Sequence, residues 1–386
     1  MAIIAAMHPL LGWAKAHEGE VIALIEEFVE CESPSDDAAA VNRFVDLVTA
    51  RVDGLASASR RYPGNGFGDH LRCEFRAAGP RPKGRILALG HSDTVWPLGT
   101  IREMPFRKSA GRLWGPGVLD MKAGIAFFIF AMRALRELGL PASKSITLQL
   151  NADEEVGSSS SRSLTEEAAL KSDAVLVLEP GTGLEGKLKT ARKGVGDYHV
   201  TVRGRASHAG IDFEAGASAI VELARQIEKI VAFTDLKRGL TVNPGVISGG
   251  TRSNVVAAEA SAEVDIRVAR LRDAAPLDRK FRRLRAVDKG CSIEVSGGLN
   301  RPPMERTAGN QRLYKTAVAA AREIGVEIEE SATGGGSDGN FTSALGIPTL
   351  DGLGGVGEGA HAVNESILIK RIPDRIALLA ALLSRI

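Results

Sequence analysis

The chain has 386 residues, 44% hydrophobic and 25% charged, and its 49 Lys and Arg against 47 Asp and Glu leave a net charge of +2. This is the profile of an ordinary globular protein of one large or two medium domains. The balanced charge gives no electrostatic reason to expect nucleic acid or an acidic membrane as partner. Cys31, Cys73 and Cys291 are scattered, without a CxxC pair, and read as small buried hydrophobes rather than a disulfide framework.

The N-terminal stretch "MAIIAAMHPLLGWAKAHEGE" is apolar, but no basic residue precedes it, and His8 and Pro9 interrupt it. It is therefore not expected to be a cleaved signal. No later segment approaches the roughly 20 continuous apolar residues of a membrane helix, so the expected compartment is the cytoplasm. Residues 16–30 read as an amphipathic helix with Val21, Ile22, Leu24, Ile25 and Phe28 on its apolar face. "CESPSDD" ends it, and Ala38–Val52 reads as a second helix. From Arg85 a short apolar run recurs, each time followed by a polar loop or helix: "RILALG" (85–90), "SITLQL" (145–150), "DAVLVL" (173–178) and "IPTL" (347–350). A helix over about Ala123–Glu137 separates the first two and ends at Gly139 and Pro141. Strands alternating with helices predict an α/β sheet covered on both faces.

Residues 195–298 follow another pattern. "DYHVTV" reads as a strand and "GASAIVELARQIEKIVAF" as a helix. "LTVNPGVISGG" and "SNVVAAEASAEVDIRV" read as two long strands, then come a helix near 272–286 and the strand "CSIEVS". The order β-α-β-β-α-β is the split, ferredoxin-like α+β arrangement. The expected organisation is a discontinuous α/β domain, residues 1–192 and 303–386, with a small domain, 193–302, inserted in it. A helix near 310–323 marks the return to the first domain.

Each apolar run of the α/β domain leads into chemistry. The first ends at His91 and Asp93, the second at Asp153, Glu154 and Glu155, and the third at Glu179. The fourth leads to His361, and "WGPGVLDMKAG" places Asp120 just before a helix. Taken singly, each residue has an ordinary explanation. His91 fits a hydrogen-bonded core histidine, Asp120 a helix N-cap, Glu154 and Glu155 a solvated loop, Glu179 a strand terminus and His361 a turn. Their coincidence at segment ends changes that, because ligands in open α/β sheets sit beyond the carboxyl ends of the strands. His91, Asp120, Glu155, Glu179 and His361 suit a dinuclear zinc site, although Co2+ or Mn2+ would also bind nitrogen and oxygen donors. Two dications bring +4, the three carboxylates return −3, and one carboxylate should bridge. Asp93, on the same side of an extended segment as His91, is placed to accept its second ring N–H. Glu154, beside a ligand, suits a general base.

The motifs "GHSDTV", "GPGVLDMKAG", "NADEEVGS", "VLEP", "GRASHAG" and "GGGSDGN…GAH" together resemble, in order, those of the M20 family of metallopeptidases, most nearly its glutamate carboxypeptidase branch. The resemblance runs from about residue 20 to the C-terminus. It implies a zinc-peptidase-type α/β catalytic domain and an inserted lid and dimerisation domain. It also implies two Zn2+ per subunit on His91, Asp120 (bridging), Glu155, Glu179 and His361, with Glu154 as base. By the same resemblance His208 of "RASHAG" reaches the active site of a partner subunit in a homodimer and polarises the scissile carbonyl. Arg267, Arg301, Asn254 and Gly336 match substrate-binding positions of the branch, and arginine's planar fork suits a terminal carboxylate. Lys187 matches a lysine near the substrate side chain, whereas Lys189 departs from the hydroxyl residue expected there. The implied activity is cleavage of an N-acyl amino acid or short peptide with a free carboxylate, releasing the C-terminal amino acid. A deacylase of the same family uses the same residues.

Three other readings are weaker. "GGSDG" (335–339) fits the GxSxG nucleophile elbow, but no strong apolar strand precedes it, and little chain is left before His361 for a triad acid. The glycine clusters lack the strand–turn–helix context of a dinucleotide site. A non-catalytic binding protein on the same fold would need neither Glu154 nor a full ligand set.

Overall fold

The computed structural model describes residues 7–79 and 82–386; the first six residues of the N-terminal stretch tested as a signal lie outside it. Pro9 does not interrupt structure. It opens a helix, Pro9–Ala16, at the first position, where a missing N–H is harmless. A second helix, Glu18–Glu30, follows after His17, so the helix expected from residue 16 begins two residues later. Ala38–Val52 is a helix, capped by the Asp37 carboxylate accepting from the Ala40 N–H.

The chain divides into two compact units. One comprises the chain up to Ala191 with Arg306–Thr333 and Ser337–Ile386, and the other Arg192–Glu305 with Gly334–Gly336. The glycines 334–336, expected in the catalytic domain, thus fall in the second unit. The reason is local: Gly334 and Gly336 present their carbonyls to Arg267 and Arg192 of that unit, at 3.3 and 2.9 Å.

The first unit is built on a six-stranded sheet in the order Ala58–Tyr62, His70–Phe75, Ser145–Asn151, Arg85–His91, Ala174–Val177, Thr349–Leu350. The four apolar runs seen in the sequence are the last four strands. They are mutually parallel, with His91 level with Asn151 and Leu89 level with Val177. Alternation along them feeds two cores. Ile86, Ala88, Leu148, Leu150 and Leu176 pack with Phe127, Phe128 and the C-terminal helix Ile372–Arg385. Leu87, Leu89, Val175 and Val177 pack with Ala168 and Ala169 of the helix Arg162–Leu170. Burial on both faces is why these strands read as unbroken apolar runs. Among the described residues no helix is long and apolar enough to cross a membrane.

The second unit carries a four-stranded antiparallel sheet in the order Thr241–Gly249, Glu259–Val268, Gly194–Arg203, Ser292–Arg301, with helices Ala219–Val231 and Ala274–Arg282. This is the β-α-β-β-α-β order expected. The third strand starts at Glu259, not near Ser253. Pro244 sits on the edge strand, at a register shift between Pro244 and Val246, where the missing N–H breaks no ladder. Tyr198 stacks on Phe281 at 3.8 Å between ring centroids, in a core with Val200, Val264 and Ile266.

Candidate metal centre

The parallel strands deliver side chains to one edge. His91 is the last residue of its strand, Glu155 lies in the single turn Glu154–Val156 after Asn151, and Glu179 stands two residues beyond Val177. Backbone approaches behind them are tight. A Cβ on Gly124 or on Gly354 would each lie 2.1 Å from the Leu178 carbonyl oxygen, so both glycines let the chain close against the strand end that carries Glu179. Asp120 is not a helix cap: it sits inside the irregular turn Val118–Lys122, and no side chain caps Ala123–Glu137. His361 has φ +61°, the left-handed region a non-glycine residue seldom occupies outside functional loops.

The five expected ligands form two groups sharing one member. His91, Asp120 and Glu179 make one, and Asp120, Glu155 and His361 the other, with donor atoms within 4.8 Å of one another in each. Asp120 turns one oxygen to each group. Its Oδ1 is 3.3 Å from His91 Nε2, and its Oδ2 is 3.4 Å from His361 Nε2. Glu179 Oε1 is 3.5 Å from His91 Nε2, and Glu155 Oε2 is 3.3 Å from His361 Nε2. The His91 side chain is 1% exposed and that of His361 49%, so one group is enclosed and the other faces solvent.

The donor set fits divalent metal. All donors are nitrogen or oxygen, and Glu155 Oε1 is buried with no hydrogen-bond partner among the described residues, a costly state unless a cation takes it up. Electrostatics agree. Burial opposes charge on His91, yet Asp120, Asp93 and Glu179 hold its imidazole well above the ordinary value. Burial likewise opposes ionisation of Asp120, but His361 and His91 hold its carboxyl far below the usual carboxylate range. Asp120 and Glu155 push His361 up to about 10, and burial pushes Glu155 up to about 7. Carboxylate oxygen is so dense here that the imidazoles hold protons as counter-charges, a condition that bound cations relieve.

Asp93 lies beside His91 as expected, with two acceptors near the ring. The closer acceptor for His91 Nδ1 is the Asp93 backbone carbonyl, at 2.9 Å; the carboxylate is 3.4 Å away. A buried carboxylate two residues on has better donors in reach. Asp93 accepts from the backbone N–H groups of Glu154 and Glu155, at 3.2 and 3.1 Å, and from Ser35 Oγ at 2.8 Å. It therefore fixes His91 by its main chain and the Glu154–Glu155 turn by its side chain. Glu154 itself belongs to neither ligand group.

Ser337 of the GxSxG match is buried and donates its hydroxyl proton to Asp351 at 2.7 Å, so the nucleophile geometry is absent. Lys187 pairs with Glu329 at 2.6 Å on the surface of the first unit. The buried Lys189 lies 3.9 Å from Asp351.

The remaining candidates lie in the second unit, in two sets. Arg267 and Arg301 flank Val195 in one row of the sheet, so their side chains leave the same face, and Gly336 packs against Arg301. Arg267 also pairs with Asp265 at 2.8 Å. His208 and Asn254 lie beyond the other end. The ladder runs past the Arg203–Glu259 pair through Gly204 N–H to Ala258 and Val256 N–H to Ser207, and then bridges His208 to Val255. Both residues are exposed. The eight residue steps from Val195 to Arg203, at about 3.4 Å each, separate the two sets by roughly 27 Å. A residue that went unnoticed in the sequence, Glu365, also borders the metal centre.

The parallel strand ends of a doubly covered sheet gather candidate metal ligands, and the family match makes the chain a hydrolytic enzyme. The chain belongs to peptidase family M20/M25/M40, whose model matches residues 87–385. It is 30% identical to carboxypeptidase G2 of Pseudomonas sp. (strain RS-16) over 371 residues, covering 94% of this chain and 88% of that protein. It is 28% identical to a succinyl-diaminopimelate desuccinylase of Rhodospirillum centenum, covering 94% and 96%. Among solved structures, an M20 family metallo-carboxypeptidase of Sulfolobus solfataricus superimposes with a TM-score of 0.76 at 18% identity, covering 95% of this chain and 99% of that one.

Proposed function

We propose that this hydrolase carries two zinc ions per chain and cleaves the amide bond of an N-acyl amino acid or short peptide with a free carboxylate, releasing the C-terminal amino acid. The observation that carries the reading is Asp120, which turns one oxygen to each of two ligand groups. When bound, the ions supply Lewis-acid polarisation of the carbonyl and acidify the attacking water. Arg267 and Arg301 hold the substrate carboxylate through charge-assisted hydrogen bonds. Glu154 takes the proton from the water and delivers it to the leaving nitrogen. Its turn is held by two backbone N–H bonds to Asp93, which limits the positions the base can adopt.

His208 hydrogen-bonds the carbonyl oxygen as negative charge develops there, and Asn254 assists. A substrate of this size does not span roughly 27 Å, so one molecule held by Arg301 and polarised by His208 draws them from two chains. What supports a dimer through the second unit is an exposed apolar edge. The edge strand Thr241–Gly249 has a neighbour on one side only and exposes Val246 and Ile247, while the adjoining helix Ala219–Val231 exposes Ile220 and Val221.

The test is a hydrolysis screen on the zinc-loaded protein, varying first the amino acid and then the acyl group, each compound paired with its C-terminal carboxamide. Free acids should be cleaved at least tenfold faster than their amides; equal rates would remove the carboxylate requirement. Cleavage confined to one short acyl group with any amino acid would favour the deacylase reading, which the desuccinylase relative supports.

A further inference from the structure

Glu365 lies four residues after His361 and is 1% exposed. Four N–H groups converge on its carboxylate. Oε2 accepts from the Trp96 indole at 2.7 Å and the Gly117 backbone at 2.9 Å, and Oε1 from the backbones of Leu119 at 2.8 Å and Asp120 at 3.1 Å. A carboxylate offers about four lone-pair sites, and here all four are directed to donors. The donors lie in two segments remote from Glu365 in sequence. Trp96 follows the His91–Asp93 segment, and Gly117–Asp120 is the irregular turn that presents the shared ligand. Glu365 itself follows His361 through a tight loop closed by Ala362 N–H to Gly359 and Glu365 N–H to Ala362.

We propose that Glu365 is the positioning residue of the metal centre, and that it holds the Asp120 turn so that the two carboxylate oxygens are divided between the two ligand groups. The proposal rests on the two-metal reading above. The turn Val118–Lys122 is spanned by the Lys122 N–H to the Gly117 carbonyl and the Ala123 N–H to the Val118 carbonyl, but Asp120 and Met121 inside it have non-helical backbone. Inside that turn the carboxylate adds its own hold, receiving the N–H of Asp120 itself and of Leu119 on one oxygen. The same group ties in the two segments that carry His91 and His361. An amide cannot replace it. Glutamine keeps the shape but offers one acceptor oxygen, and its NH2 group would face two of the four donors, leaving them unsatisfied in a dry site.

The test uses full-length, metal-free protein titrated with Co2+ alone, followed by calorimetry and visible absorption, beside thermal melting of the metal-free form. Wild type should bind two ions per chain. Glu365→Gln should melt as a folded protein yet weaken at least one of the two ions by about 10- to 100-fold, with an altered Co2+ spectrum. Once loaded with excess metal, it should lose kcat with little change in KM. If both ions bind within threefold of wild type and the spectrum is unchanged, Glu365 does not position the centre, whatever happens to the melting temperature. Should Glu365→Gln fail to fold, Trp96→Phe, which removes a single donor from the same carboxylate, provides the reading. A two- to fivefold weaker second ion supports the proposal, and unchanged affinity overturns it. Wild-type protein that takes up fewer than two ions would contradict the two-metal reading, an outcome distinct from two ions bound equally by wild type and variant.

Discussion

The metal-ligand cluster of the first unit and the polar residues of the second are built in opposite ways. In the first, other groups immobilise three of the elements that carry donors: His91 by the Asp93 carbonyl, the Glu154–Glu155 turn by the Asp93 carboxylate, Asp120 by Glu365. In the second, His208 and Asn254 are exposed at one end of a sheet and Arg267 and Arg301 stand at the other. The His91 side of the cluster is enclosed and the His361 side faces solvent, and those three elements are bonded within the unit. In the second unit, His208 and Asn254 are open to solvent, while Arg301 is buried and Arg267 is tied to Asp265 and the Gly334 carbonyl. The difference teaches where precision is required: a metal centre tolerates little displacement of its donors, whereas residues proposed to meet a substrate can be left open to solvent, as His208 and Asn254 are.

Variants sharpen that contrast. The largest effect is expected at the base. Glu154→Gln should retain both ions but lose turnover by roughly 10²- to 10⁴-fold, measured by metal analysis and kcat on one preparation. His208→Ala should lower kcat by about 10²- to 10³-fold without loss of metal. Mixing it with Glu154→Gln protein should restore activity, because one site of the proposed dimer would then carry both intact residues. No recovery in dimers shown to have exchanged would place His208 outside the site it is assigned to. Arg301→Lys should act mainly on KM, raising it about tenfold, since an ammonium replaces a two-point fork. A KM change equal for free acids and their carboxamides would break that assignment.

The α/β unit was legible because parallel strands buried on both faces leave unbroken apolar runs, and each run ended at a candidate ligand or led toward one. The split order of the second unit was legible from strand alternation and one amphipathic helix. Other features depend on contacts remote in sequence and leave no local mark. Glu365 is an unremarkable glutamate in "AVNE" whose partners lie 245 to 269 residues away. Nothing around Lys187 announces Glu329, and nothing in "GGG" shows that arginines 192 and 267 will draw its carbonyls into the second unit. Asp93 was half legible: spacing put it beside His91, but the competing donors come from Ser35 and from the Glu154–Glu155 turn.

Smaller effects test the packing and charge behind the cluster. Gly354→Ala places a Cβ 2.1 Å from the Leu178 carbonyl and should cost about 1–3 kcal/mol of stability, read from chemical denaturation. An unchanged midpoint would mean that the strand end carrying Glu179 is looser than its contacts indicate. Metal loading should release protons, because His361, held up to about 10, is charged at pH 7.5 in metal-free protein and must be neutral to bind. The sign follows: protons compete with the ions, so apparent affinity falls as pH is lowered. Calorimetry in buffers of different ionisation enthalpy reads the number released, and zero would contradict the charge state argued for the cluster.

The sharing of Asp120 between two ligand groups is tested most directly by counting zinc bound per chain in wild type, Glu179→Ala and Asp120→Ala, each shown to be folded. The arrangement of donors gives two ions for wild type, one when Glu179 is removed and the solvent-facing group is left intact, and none when the shared carboxylate is lost. An Asp120→Ala protein that still holds two ions would contradict it.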